Sequence, residues 1–285
     1  YQRPYVWTEK EWEPLWDAIE WAAAQPSQSN RPRPYFLGAM VLEQLRRPTA
    51  CLNERQIIDG QQRLLTLQLC LAAIRDLCGA LQLTDYRDAF RRLTENDSPV
   101  ARTEEDRFKV WPTNFDRLLF RNVLSAGSIE GVKGLKTSTE SGERIRDAYL
   151  YLSARAREWI EQDDATPRER VAGLWTTLTD RLQVVAIDLE PDDDAQQIFE
   201  SLNALGVKLL PADLVKNYLL RQAEVQDQDV ENLYQKYWEQ FDSDQKHWRA
   251  EVRQGRLTRP RLDLFLQHYL TLRTRREVLA ANLFG

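Results

Sequence analysis

Apolar residues recur at helical spacing over most of the chain, and this pattern predicts a mainly helical protein. After Gly60 the apolar positions step by three and four, which is the spacing of one helix face. The members of this stripe are Leu64, Leu67, Leu71, Ile74, Cys78 and Leu81. A second stripe consists of Ile145, Tyr149, Leu152, Ala156 and Trp159. A first amphipathic helix is expected after Thr8, because Glu11 completes a capping-box pattern with it.

Three short segments are typical of strands rather than helices. Residues 34–45 read PYFLGAMVLEQL, with no charge before Glu43, and RQIID follows at 55–59. The period changes again near residue 183, where QVVAIDL at 183–189 is typical of a buried strand. The predicted fold class is therefore α+β, predominantly helical, with a small sheet.

The last third of the chain is again predicted to be helical. Gly206 is a natural C-cap for a helix over AQQIFESLNALG, and Pro211 fits the first turn of the next helix, PADLVKNYLLRQ. Two more helices are expected around 229–241 and 261–273.

Composition is that of a soluble globular protein. The 285 residues, of which 42% are hydrophobic, can build one large or two modest domains. We see neither a long apolar run nor a signal peptide, so we expect no membrane span, no secretion and a cytoplasmic location. Three cysteines without a C-x-x-C pair and two histidines supply no zinc-ligand pattern. The start at YQRP, without methionine, indicates a part of a longer protein.

The net charge of −5 means that any contact with DNA requires a local basic patch. One candidate patch holds seven arginines: Arg253, Arg256, Arg259, Arg261, Arg273, Arg275 and Arg276. These residues are either such a patch or a solvated face that balances the acidic run DLEPDDD at 188–194.

The turn from the RQIID strand into the following helix allows two interpretations. A helix start exposes backbone N–H groups and the positive end of the peptide dipoles, so Gly60, Gln61, Gln62 and Arg63 can cradle a phosphate. In that interpretation Asp59 accepts from a base or ribose, or holds a cation through water. Alternatively, D-x-x-Q from Asp59 to Gln62 is a capping box and Arg63 is merely solvated.

Four separated blocks resemble the N-terminal domain of the GmrSD-type modification-dependent restriction proteins. In order, they read YQRPYVW, YFLGAMVLE, IIDGQQRLLTLQL and IFESLNALGVKLLPADLVKNYLL, and they span residues 1 to about 220. Within that group they are most similar to the phosphorothioate-sensing defence protein SspE. The group is related to the ParB/sulfiredoxin-like fold, which implies a small mixed sheet with packed helices and a larger helical portion.

The resemblance also implies a domain organisation. Residues 1–93 would form a ParB-like core with the DGQQR motif, 94–182 a helical insertion, 183–223 the second part of the nucleotide-binding core, and 224–285 a C-terminal helical extension. The nuclease domain, of the His-Asn-His type, would belong to a C-terminal segment outside this chain or to a partner subunit. His247 and His268 are isolated and do not form such a site.

What the resemblance implies for function is an enzyme that hydrolyses a nucleoside triphosphate, GTP favoured, with Mg²⁺. The enzyme would sense modification of double-stranded DNA, such as phosphorothioate, and control a nuclease in anti-phage defence. Its catalytic residues would be Asp59, Gln61, Gln62 and Arg63. Nucleotide binding would add Gly60, Asn203, Lys216 and Asn217. The alternative function is a modified-DNA sensor with a vestigial pocket that does not hydrolyse nucleotide.

The metal and DNA contacts implied by the resemblance lie in the first and last blocks. Asn203 stands at the ParB spacing before Leu209 and Pro211, but Leu202 and Gly206 replace the ParB glutamate and arginine, so Glu200 is the candidate second metal ligand. The DNA-binding residues would be Tyr1, Gln2, Arg3, Tyr5 and Trp7. Alternatively, Tyr5 and Trp7 staple the first helix to the sheet, and Lys216 is only an exposed lysine.

Overall fold

The structure is a computed structural model that describes most of the chain. The described residues are 4–25, 34–45, 52–97, 101, 103–112, 114–162, 165–189, 211–226, 228–254, 257–276 and 278. They fall into two compact units, a larger one within Tyr5–Phe199 and a smaller one that comprises Tyr1–Pro4 and Glu200–Gly285.

Helices dominate the larger unit. They are α1 (Glu9–Ala23), α2 (Gln61–Ala80), α3 (Thr84–Thr94), α4 (Glu104–Arg107), α5 (Asn114–Ser125), α6 (Ile129–Lys133), α7 (Glu140–Ile160) and α8 (Pro167–Thr176), which ends in a π-helical turn, Thr177–Arg181. As expected, α1 begins with a capping box, in which the Thr8 N–H donates to Glu11 Oε2 at 2.8 Å. The predicted α7 stripe is confirmed from Ile145 to Ala156, which are fully buried.

The predicted stripe of α2 is wrong in detail. Only Ile74 and Cys78 of its members are fully buried, whereas Leu81 is exposed and Leu64, Leu67 and Leu71 are half-buried. The reason is that α3, α5, α6 and α7 all contact α2, so its neighbours on several sides decide which positions are buried. This helix forms the centre of the core of the larger unit.

Three strands of the larger unit form a mixed sheet. They are β1 (Tyr35–Gln44), β2 (Arg55–Asp59) and β3 (Leu182–Leu189), in the order β2-β1-β3. Strand β1 is antiparallel to β2 and parallel to β3. The prediction of β3 as a strand is confirmed, but its prediction as a buried strand is wrong. This strand lies at the edge of the described sheet, and its Val184 and Val185 are 40% and 48% exposed.

The smaller unit contains helices and one hairpin. The elements are α9 (Pro211–Val225), α10 (Val230–Tyr237), α11 (Glu239–Ser243), α12 (Gln245–Trp248), β4 (Glu251–Gln254), β5 (Leu257–Pro260) and α13 (Arg261–Thr274). The start at Pro211 and the last helix agree with the sequence, whereas the antiparallel hairpin β4–β5 was not predicted. The predicted helix over 195–206 lies outside the described residues.

The predicted fold class is confirmed: the protein is predominantly helical α+β with a small mixed sheet. None of the described helices is long and apolar enough to cross a membrane.

Candidate functional site

The turn between β2 and α2 requires glycine at position 60. Gly60 has φ +92°, a left-handed conformation that side chains other than glycine rarely adopt. A Cβ at this position would also lie 2.8 Å from Met40 Cγ on β1. The tight turn therefore brings the first turn of α2 directly against the middle strand of the sheet.

The capping-box alternative for this turn is wrong. The N-cap of α2 is Gly60 rather than Asp59, and no N-cap side chain accepts a hydrogen bond from the helix. The first turn of α2 also contains no acidic residue. The positive end of the helix dipole is therefore not neutralised by a carboxylate within its own first turn, which favours the approach of an external anion.

Arg63 is held against the backbone of β1. Its Nη1 donates to the Ala39 carbonyl at 3.0 Å, and the guanidinium lies over Gly38, where a Cβ would be 3.0 Å from Nη1. Gly38 has φ +107° at the irregularity in the β1–β3 register. Within the described part of the chain Arg63 forms no ion pair. A fixed guanidinium without a carboxylate partner can bind two oxygens of a phosphate.

Gln61 and Asp59 complete the turn. Gln61 is buried, and its Oε1 has no hydrogen-bond partner among the described residues. An amide presents a donor or an acceptor according to its orientation, so this side chain can bind a water molecule or a phosphate oxygen. The half-buried Asp59 carboxylate contacts no charged or polar partner in the described ranges. Both side chains are therefore available to a ligand.

Gln62 has a different environment from its neighbours. Its side chain is buried, and Oε1 accepts a hydrogen bond from the Val6 N–H at 2.8 Å. Its backbone carbonyl accepts from the Thr66 hydroxyl at 2.7 Å. This residue thus connects the segment before α1 to the first turn of α2 through a side-chain oxygen that already accepts one hydrogen bond.

The tie between Gln62 and Val6 can be tested by Gln62→Ala. The change leaves the Val6 N–H without its partner, so we expect it to lower the free energy of unfolding by about 1–3 kcal/mol. Gln183→Ala, on an exposed position of β3, is the control and should change it by less than about 0.5 kcal/mol. Urea denaturation and amide exchange at Val6 measure the effect. Equal stability and unchanged protection of the Val6 amide would rule out the tie.

Tyr5 is part of the core. Its ring is fully buried, its hydroxyl lies 2.7 Å from Thr66 Oγ1, and it accepts a hydrogen bond from Trp12 Nε1 at 2.9 Å. Burial raises the pKa of the phenol above its ordinary value, so the group stays protonated. Trp7 is half-buried against the same core.

The surroundings of Tyr5 and Trp7 favour the packing alternative over contact with DNA, although Tyr5 joins α1 to α2 rather than to the sheet. The other predicted DNA-binding residues, Tyr1, Gln2 and Arg3, lie outside the described residues.

Lys216 lies inside the smaller unit, and the expectation of an exposed lysine is wrong. Its side chain is 1% exposed, and Nζ donates to Asp242 Oδ2 at 2.9 Å. The same carboxylate accepts from the Tyr234 hydroxyl at 3.0 Å and lies 3.5 Å from Arg249 Nη2. This environment gives the lysine a structural partner, and its role at a phosphate stays a prediction.

The remaining predicted ligands cannot be placed. Asn203, Glu200 and the side chain of Asn217 lie outside the described part of the structure. Among the residues that are described, no group of three histidine, cysteine, aspartate or glutamate side chains is placed to hold a metal ion. The described turn fits an anion, and its one available carboxylate is Asp59.

Sequence reasoning missed Gly38 and Ala39 as parts of the site. A glycine inside a strand pattern is the signal that could have identified them, since it often marks a bulge or a close approach of another group. Here the approaching group is the guanidinium of Arg63.

The geometry defines a domain in which a glycine turn leads from an edge strand of a small mixed sheet into a helix, with a fixed arginine in the first turn of that helix. Its sequence matches the family described as "GmrSD restriction endonuclease, N-terminal domain" over residues 1–220. Because the match covers most of the 285 residues, the chain belongs to this family. It is therefore a restriction-system component, of a family associated with a nuclease and with defence. No curated protein matches the chain significantly.

Family membership confirms the resemblance at the level of the GmrSD-type N-terminal domain. The closer similarity to SspE and the relation to the ParB/sulfiredoxin-like fold stay predictions.

Proposed function

We propose that this chain is a nucleotide-hydrolysing regulatory domain, with GTP as the favoured substrate, that senses DNA modification and controls a nuclease domain outside the chain. The observation that carries the proposal is the position of Arg63. Its guanidinium is fixed by the Ala39 carbonyl beside a helix start without acidic residues, and it has no ion-pair partner among the described residues.

The turn supplies what phosphoryl transfer needs most, which is positioning and neutralisation of charge. The start of α2 would bind phosphate oxygens through backbone N–H groups, and Gly60 lets the ligand approach the backbone closely. Arg63 would hold two further oxygens and stabilise the charge that develops on them during transfer. Because these donors are fixed before the substrate arrives, little reorganisation is required.

Gln61 is the residue that we assign to the attacking water. It lies next to Gly60, its amide is buried, and its Oε1 has no partner within the described ranges. The sequence left Gln61 and Gln62 open for this role. The hydrogen bond from the Val6 N–H occupies Oε1 of Gln62, which supports a positioning role for Gln62 instead.

A magnesium ion would provide a further contact for the phosphates. Asp59 would hold a magnesium ion through water, with Asn203 and Glu200 as the candidate direct ligands. A bound Mg²⁺ supplies charge neutralisation between the phosphate groups. Of these three proposed metal-binding residues, only Asp59 lies in the described part of the chain.

DNA sensing would reach the turn through the segment before α1. Arg3 precedes Val6 by three residues, and the Val6 N–H is hydrogen-bonded to Gln62 in the DGQQR motif. Binding of modified double-stranded DNA would change the position of Tyr1, Gln2 and Arg3. This change would therefore be passed through Val6 to Gln62, which lies between Gln61 and Arg63 in the sequence.

Release of inorganic phosphate tests the enzyme. The wild-type chain is incubated with Mg²⁺ and GTP, or with each other triphosphate, and with phosphorothioate-modified, plain or no duplex. We expect turnover with GTP and a rate that differs between modified and plain duplex. Absence of turnover with every triphosphate would overturn the proposed enzymatic activity. Modified-DNA binding without turnover would then assign the chain as a sensor with a vestigial pocket.

A further inference from the structure

A stripe of cationic and aromatic residues runs along α13 of the smaller unit. Its members recur every four residues: Arg261, Phe265, Tyr269 and Arg273. Side chains four residues apart are neighbours on a helix surface, so the two aromatic positions lie between the two arginine positions along the helix. From the first arginine to the last, the basic–aromatic stripe spans about 18 Å of helix axis.

The two rings of the stripe are exposed and stack nearly parallel to each other. Phe265 is 40% exposed and Tyr269 is 49% exposed. Their ring centroids are 6.2 Å apart, with an angle of 20° between the planes. The ring centroid of Phe265 also lies 5.4 Å from that of Trp248 and 5.7 Å from that of Phe241. These contacts anchor Phe265 to the core of the unit. The stripe thus presents flat aromatic surface to solvent in a defined orientation.

The sequence that contains the stripe is strongly basic, although the whole chain carries −5. Between residues 245 and 276 the sequence contains nine lysines and arginines and only two acids, Glu251 and Asp263. Asp263 is buried and accepts a hydrogen bond from the Ala212 N–H at 3.0 Å. Neither Arg261 nor Arg273 forms an ion pair with a described carboxylate. This charge is complementary to a phosphate backbone.

We propose that the basic–aromatic stripe binds single-stranded DNA. Bases would stack on Phe265 and Tyr269, while Arg261 and Arg273 contact the phosphates on either side. Exposed rings favour unpaired bases, because the bases of a duplex already stack on each other. The concentration of cations favours a nucleic acid over a protein surface. The stripe lies beyond residues 1–220, and its binding requires neither nucleotide hydrolysis nor recognition of a modification.

Fluorescence anisotropy with a labelled, unmodified 20-nucleotide single strand tests the stripe in the whole chain at low salt. We expect Tyr269→Ala to weaken binding about tenfold, in the range for the loss of one stacked base. We expect Arg273→Ala to reduce the slope of log affinity against log salt by about 0.7, the value for one lost phosphate contact on a single strand. Tyr237→Ala is the matched control, because Tyr237 is 56% exposed on another helix, and it should bind like the wild type.

Tyr269→Ala is the decisive variant, since Phe265 packs on the core and its replacement can unfold the unit. Circular dichroism verifies the fold of each variant. Wild-type affinity in folded Tyr269→Ala would overturn the proposal, as would equal binding of a plain duplex with the same loss in this variant. Loss of self-association in Tyr269→Ala, measured by sedimentation with DNA affinity unchanged, would also overturn it and make the stripe a contact between copies.

Discussion

Replacing Arg63 by alanine is expected to lower GTP turnover about 100-fold or more while the domain stays folded. Arg63 is the one cation of the DGQQR turn, and a fixed donor that stabilises developing charge contributes about this much to a rate. The stability cost should be small, because the side chain makes one hydrogen bond, to the Ala39 carbonyl, and no ion pair among the described residues. Steady-state phosphate release measures the loss.

Two further variants test whether the loss of turnover comes from the position of the Arg63 guanidinium or from the general loss of a positive charge. Arg168→Ala removes an exposed arginine that pairs with Asp85, and it should keep wild-type turnover. Gly38→Ala keeps the arginine at position 63 but adds a Cβ 3.0 Å from the Arg63 Nη1 and strains a backbone at φ +107°. It should therefore lower turnover by displacing the guanidinium. Wild-type turnover by folded Arg63→Ala would leave the enzyme possible but would remove this turn as its site.

Replacing Lys216 by methionine is expected to destabilise the smaller unit by about 3 kcal/mol. Removal of one partner of a buried ion pair costs about 3–5 kcal/mol, because the other charge stays buried. The lower end applies here, since Tyr234 and Arg249 still contact Asp242. The change should appear as a shift of the unfolding transition of this unit in urea, followed by tryptophan fluorescence.

The same variant tests whether Lys216 contacts phosphate. Well below its unfolding transition, Lys216→Met should hydrolyse GTP within about twofold of the wild type, because the ion pair with Asp242 gives this lysine a structural role. Lys236→Met, an exposed lysine on α10, is the control and should change stability by less than about 0.5 kcal/mol. Unchanged stability together with lost turnover would place Lys216 at the nucleotide instead.

The strand–turn–helix of the site could be predicted from local sequence, whereas its contacts could not. RQIID, Gly60 and the apolar run after it are enough for the element order. The partner of Gln62 is Val6 and the partner of Arg63 is Ala39, which lie 56 and 24 residues away along the chain. No periodicity encodes such pairs. The D-x-x-Q pattern from Asp59 to Gln62 predicts a local capping box, but in the structure the Gln62 side chain accepts a hydrogen bond from the Val6 N–H instead.

The incorrect burial predictions have a common physical cause. QVVAIDL has the composition of a buried strand, but β3 lies at the edge of the described sheet and exposes Val184 and Val185. Lysine is a residue type that is usually exposed, but Asp242, 26 residues later, pairs with Lys216 in the core. Burial depends on which elements become neighbours, and the pattern of one segment does not contain that information.

The most direct test of the central claim is a side-by-side measurement of GTP hydrolysis by the wild type, Arg63→Ala and Arg168→Ala, with Mg²⁺ and with modified or plain duplex. We predict turnover that depends on the DNA in the wild type and in Arg168→Ala, and a loss of about 100-fold or more in Arg63→Ala alone. Equal turnover by all three proteins, or none by any of them, would contradict the assignment of the DGQQR turn as a nucleotide-hydrolysing site.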